Sequence, residues 1–230
     1  LPRRTRATLA RATGWVTLWF VAVFLWQAVV LVANNHGYGT RSFGLLNTPV
    51  WMPQTIMAGG LGLLVAALLA GLAATEPPER RQRVRAGLAI LALGVLALLW
   101  IGPRPMTLGR SVMDWGSITL AASWLLAMLV WAGPRVALAA VLPVLAAAGV
   151  MLTGAELGLG GMLAGFGLAL LLLLALGLPV AVALGLVGLI GIYALVPIPS
   201  LITLSERGWS NMGSFTLTAI PMFVLMGIAL

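Results

Sequence analysis

Residues 160–196 read GGMLAGFGLALLLLLALGLPVAVALGLVGLIGIYALV. No charged side chain interrupts the run. A helix needs roughly 20 apolar residues to cross a hydrocarbon core of about 30 Å. In lipid every backbone N–H and C=O must be paired within the protein, so only helices and closed barrels span a membrane. A barrel strand alternates apolar and polar side chains in segments of about ten residues. Leu168–Leu176 does not alternate, which leaves the helix. At about 1.5 Å per residue the run would reach roughly 55 Å, nearly twice the core thickness. Gly177-Leu178-Pro179 falls at its middle, and a proline inside a helix removes a donor and crowds the preceding turn. The pattern favours one kinked, strongly tilted helix over two short helices meeting at Gly177–Pro179. Pro197-Ile198-Pro199 breaks the run, and residues 200–212 read as a short interfacial segment.

Six further runs approach the length of a span: Trp15–Ala33, Pro53–Ala74, Val84–Gly102, Trp115–Ala132, Val136–Thr153 and Ser214–Leu230. The fold class is therefore all-α, a polytopic transmembrane helical bundle of about seven spans. Composition agrees. Of 230 residues, 61% are hydrophobic and 8% charged, with a mean hydropathy of +1.09. Soluble domains carry roughly 25% charged residues, so a globular water-soluble enzyme is excluded. Disorder is excluded too, because it requires low hydrophobicity.

The net charge of +8 does not point to nucleic acid. All thirteen basic residues are Arg, and eight form two clusters beside apolar runs: Arg3, Arg4, Arg6, Arg11 and Arg80, Arg81, Arg83, Arg85. Clusters of this kind orient membrane helices, with the arginine-rich loops in the cytoplasm. Residues 1–12 and 75–85 are placed inside, and Asn34–Met52, with only Arg41, outside. Continued alternation puts 103–114 outside, 133–135 inside and the Glu156 loop outside. Trp15, Trp51, Trp100, Trp115 and Trp131 fall near span ends, where indoles favour the headgroup level. Trp19, Trp26 and Trp124 lie inside spans and read as packing or lipid contacts.

Chemistry-bearing residues are sparse. There is no Cys and one His, so thiolate sites and histidine clusters have no ligands. The five acids, Glu76, Glu79, Asp114, Glu156 and Glu206, are scattered outside the middles of the runs, which leaves no carboxylate pair for acid–base work. With no Lys, a phosphate-binding Walker loop is excluded. No catalytic or metal-ligating residue is assigned. Gly161-x-x-x-Gly165 and Gly154-x-x-x-Gly158 fit small-residue helix packing. Pro143, Pro179 and Pro221 interrupt apolar runs; transporters use such breaks at ion and substrate sites, but an ordinary kink is the favoured reading. Ser214, Thr216 and Thr218 are read as bonding back to their own helix. His36 is read as a solvated loop residue beside Asn34 and Asn35, and Glu206–Arg207 as a solvated pair.

Two stretches carry a more specific signal. Residues 170–195, with Gly177, Leu178 and Pro179, are followed after about seventeen residues by GSFTLTAIPMFVLMGIAL (213–230). This order resembles the start of the large membrane subunit of tripartite ATP-independent periplasmic (TRAP) transporters. That subunit opens with an apolar helix bearing Gly-hydrophobe-Pro, then Ser-Phe-x-Leu-x-x-Ile-Pro-hydrophobe-Phe. The matching positions are Gly177 and Pro179, then Ser214, Phe215, Leu217, Ile220, Pro221, Met222 and Phe223. Upstream, residues 42–71, with Ser42, Leu45, Pro49, Trp51 and Pro53, look like the lead-in and last helix of the small membrane subunit. Trp15–Ala33 would be the third of its four helices.

The resemblance implies a fused small-plus-large subunit, cut at both ends. Residues 1–85 would be the second half of the small-subunit-like scaffold, 86–159 a three-helix connector, and 160–230 the N-terminal part of the large-subunit-like transport domain. The small subunit ends in the cytoplasm and the large one begins outside, so the connector needs an odd number of spans; three are counted. The resemblance further implies secondary uptake of an organic acid, of dicarboxylate or sugar-acid type, at the bacterial inner membrane. Sodium would be the coupling ion. The partners would be a periplasmic solute-binding protein, the lipid bilayer and the remainder of the same polypeptide, with no nucleic acid. No other cofactor is implied. Substrate and sodium ligands are expected downstream, so Gly177, Pro179, Ser214, Phe215 and Pro221 are carried over as structural motif positions only. A non-transporting scaffold or assembly subunit is the alternative. An intramembrane enzyme is disfavoured, since no acid, His or Cys lies within a span.

Overall fold

The computed structural model describes residues 3–42, 47–101, 105–108, 111–195, 202–212 and 226. The elements are α1 (Arg3–Gly37), α2 (Trp51–Ala74), a 3-10 turn (Pro78–Arg80), α3 (Arg81–Ile101), β1 (Pro105–Leu108), β2 (Ser111–Asp114), α4 (Trp115–Trp131), α5 (Pro134–Glu156), α6 (Gly158–Ala175), α7 (Val180–Leu195) and α8 (Ile202–Met212). The helical bundle expected from the sequence is present. Five helices are long and apolar enough to cross a membrane, and α4 and α7 are shorter apolar helices. The one departure from helix among these elements is the antiparallel β1–β2 ladder, Pro105 opposite Asp114 through Leu108 opposite Ser111.

Sequential helices pair as α1–α2, α3–α4 and α5–α6, and α1 runs through the centre, touching α4, α5, α7 and α8 as well. Half of its most apolar window is buried, against 6% for α2 and 17% for α3. The core centres on its first half. Trp15 and Trp131, each 1% exposed, meet edge to face with ring centroids 5.2 Å apart. The Trp124 indole N–H donates to the Trp15 carbonyl at 3.0 Å. The rings of Trp15 and Trp131 fill space between α1 and α4, whereas Trp100 is 87% exposed. Trp124 is a packing residue, as read.

The loops sort onto two ends. Arg11 contacts Glu76, Trp15 contacts Trp131 near the 133 turn, and Leu9, Ala12 and Thr13 share a hollow with Leu176 and Leu178. The N-terminus of α1, the 75–80 turn, the 133 turn and the α6–α7 turn thus share one arginine-rich end. At the opposite end Asn35 bonds Gln54, His36 stacks on Trp51, and Gly116 abuts Trp26. This is the sorting that alternating spans require.

Two expectations are corrected. The 160–196 run is two helices, not one kinked helix, and they pack on each other. His36 is no loop residue: α1 continues to Gly37, and the exposed His36 ring lies 5.0 Å from that of Trp51. At the other end, α1 also takes in the arginines that the sequence reading placed ahead of the first span, starting at Arg3. Arginine costs a helix little, so nothing local ends it there.

Candidate functional site

The Gly177-Leu178-Pro179 motif is built as a complete helix stop and restart. Gly177 has φ +84°, the left-handed conformation that glycine adopts without steric cost. Its N–H donates to the Leu174 carbonyl at 2.9 Å, and the Leu178 N–H to the Leu173 carbonyl at 3.3 Å. Those two bonds form a Schellman cap, which satisfies the carbonyls that α6 would otherwise leave unpaired. Leu173 and Leu178, the positions whose side chains flank such a cap, are both buried in the core. Pro179 then opens α7, its carbonyl accepting from Val182 at 3.0 Å and Ala183 at 2.9 Å. A proline ahead of a helix start loses no hydrogen bond, which is why the motif separates two helices rather than bending one.

From this turn α7 runs alongside α1. Leu178 lies near Ala12, Gly185 meets Phe20, and Gly208 on α8 meets Phe24. α7 therefore leads from the arginine-rich end to the opposite one. On its other side α6 is held by α5 through glycines. A methyl group on Gly154 would stand 2.6 Å from the Gly161 carbonyl, and one on Gly165 would stand 3.0 Å from the Val150 carbonyl. Helix packing is thus the role of Gly154, Gly161 and Gly165, while Gly158 is a turn residue at φ +83°. α5 continues as helix through Pro143.

Near the opposite end four buried polar residues tie elements to one another. The Gln27 side-chain amide donates to Ser117 Oγ at 3.0 Å, joining α1 to α4. The Ser205 hydroxyl reaches the Gln27 carbonyl at 3.1 Å and the Ile202 carbonyl at 2.9 Å, joining α8 to α1. Asn35 donates to Gln54 at 2.9 Å, joining α1 to α2. Gln27, Gln54, Ser117 and Ser205 are all buried. The sequence reading missed this network. Its signal was available, because an amide inside an apolar run demands a partner in lipid.

Ser214, Phe215 and Pro221, with the Ser214–Thr216–Thr218 alternation, lie outside the described residues. Glu206 and Arg207 are exposed on α8. Among the described residues no group of His, Asp or Glu could hold a metal ion, and no charged side chain sits mid-span. What the described residues provide is helix turns, close glycine packing and polar ties.

Residues 167–230 match the family model for the tripartite ATP-independent periplasmic transporter, DctM component. That segment of the chain is similar to a part of the TRAP-transporter large component. The TRAP match begins inside α6 and takes in the Gly177–Pro179 turn, α7 and α8. It covers somewhat more than a quarter of the chain. No curated protein and no solved structure gives a significant match. With its apolar helices the chain has the make-up of a multi-pass membrane protein, and its similarity to a TRAP-transporter component is confined to residues 167–230.

Proposed function

We propose that this chain serves sodium-coupled uptake of an organic acid, of dicarboxylate or sugar-acid type, delivered by a periplasmic solute-binding protein. The observation that carries the proposal is the TRAP match at residues 167–230, coincident with a fully formed Gly-Leu-Pro helix turn. In this reading residues 1–85 are a small-subunit-like scaffold, 86–159 a connector and 160–230 part of the transport component. The central position of α1 suits a scaffold, since α8 of the matched segment is fastened to it through Ser205. The membrane is the bacterial inner membrane, with the two arginine clusters in the cytoplasm. Ion and substrate ligands are assigned to no residue of the chain.

The test is uptake into proteoliposomes holding the full-length protein, with a sodium gradient and the solute-binding protein from the same operon. Uptake of the organic acid that the binding protein carries is expected, and it should vanish when either the gradient or the binding protein is withheld. Uptake that persists without the binding protein overturns the TRAP-type mechanism. No uptake under any condition, from folded protein, favours the scaffold reading.

A further inference from the structure

α2 and α3 are neighbours in sequence but not in space. α2 packs on α1, and α3 packs on α4. Only the Thr75–Arg80 connection joins them, so the two helices diverge from it. At the apex of this wedge lies an open cleft of about 330 Å³ lined by Ala73, Ala74, Glu76, Arg81, Val84 and Arg85. It lies at the arginine-rich end of the bundle.

The charge at the apex is unbalanced. Glu76, with its side chain 4% exposed, is ion-paired with Arg11 at 3.4 Å and with Arg80 at 3.6 Å, and its Oε2 makes no hydrogen bond. Arg81 and Arg85 stand one helical turn apart, are exposed, and make no ion pair among the described residues. Arg11, Arg80, Arg81 and Arg85 thus meet there around the single lining carboxylate of Glu76. Two guanidiniums at such spacing present converging N–H donors, the arrangement that recognises phosphate oxygens. Beyond the apex both helices carry exposed apolar side chains, among them Leu63 and Leu64 on α2 and Leu88 and Leu93 on α3.

We infer that this wedge is a binding site for an anionic phospholipid of the inner leaflet. Its phosphodiester headgroup lies against Arg81 and Arg85, and its acyl chains fill the gap between α2 and α3. The cavity holds about ten water volumes, enough for a phosphoglycerol headgroup. The Glu76 carboxylate beside it is buried and ion-paired with Arg11 and Arg80, so it is not exposed to a choline or ethanolamine group. The apolar walls choose a lipid over a soluble phosphate, which would use the apex alone. The inference rests on the membrane topology and not on the transport reading.

Native mass spectrometry of the full-length protein in detergent tests it directly. Phosphatidylglycerol should bind in preference to phosphatidylcholine, and Arg81→Gln with Arg85→Gln should weaken it by about tenfold or more. The matched control, Arg6→Gln with Arg83→Gln, removes the same charge from the same end without touching the cavity and should bind as wild type. Equal losses in the two variants would mean diffuse charge attraction and overturn the site. Displacement of the lipid by millimolar inorganic phosphate would reassign it to a soluble anion. Thermal unfolding in lipid-free detergent checks that both variants are folded. If the double variant is not, Arg85→Gln against Arg83→Gln decides on the same criterion.

Discussion

The Ser205 hydroxyl lies 3.1 Å from the main-chain carbonyl of Gln27, across 178 residues of sequence. One residue belongs to the segment with a family match and the other to the unmatched first helix. The same Gln27 uses its side chain on Ser117, so one residue of α1 fixes both α8 and α4. Ser205→Ala should therefore loosen α8 selectively. Hydrogen–deuterium exchange over 202–212 is expected to rise, with α1 and α4 unchanged. Gln27→Leu keeps the carbonyl that holds α8 and removes only the side-chain bond to Ser117 on α4, lowering thermal stability by roughly 1 kcal/mol, in the range of interhelical hydrogen bonds in membranes.

Gly177→Val should be costly, because a left-handed conformation strains a side chain by about 1–2 kcal/mol and β-branching adds to it. Gly177→Asn should be milder, since asparagine tolerates that region. Thermal unfolding of purified protein measures both. Equal melting temperatures for the two variants would deny the turn its role.

Gly154→Leu should part α5 from α6, as there is no room beside the Gly161 carbonyl. Overpacking of this kind costs about 1–3 kcal/mol or more. Gly149 makes the control. It sits on the same helix with open space beside it, so Gly149→Leu should be neutral.

The direction of α7 has a topological test. The chain contains no cysteine, so single cysteines report accessibility cleanly. Tyr38→Cys and Ser210→Cys should react with an impermeant thiol reagent from the periplasm, and Gln82→Cys should not. Labelling of Gln82→Cys would invert the orientation. Protection of Ser210→Cys alone would restore a single crossing for residues 160–195.

Most span boundaries were legible because lipid imposes one rule on every backbone group: α2 and α4 begin and end within two residues of the apolar runs. The ends of α1 were not, since arginine and asparagine leave the apolar pattern without leaving the helix. The 160–196 run was misread for a specific reason. A mid-helix proline and a proline after a glycine cap look alike in an apolar string. What separates them is the φ of Gly177, which composition does not record. The polar network was half legible: Gln27 and Gln54 stand out in their runs, but Ser205 lies in a polar stretch with nothing to single it out. The cavity between α2 and α3 was not legible at all. It arises from which partners those helices choose, and sequence adjacency suggests the opposite choice.

The reversal at Gly177–Pro179 has a consequence beyond the three residues that build it. It adds a crossing, so the chain beyond α7 emerges on the side away from the arginine clusters. A change that fused α6 and α7 into one continuous rod would send α8 and all that follows to the wrong face of the membrane. The handedness of a single glycine thus acts as an address label for the polypeptide downstream of it.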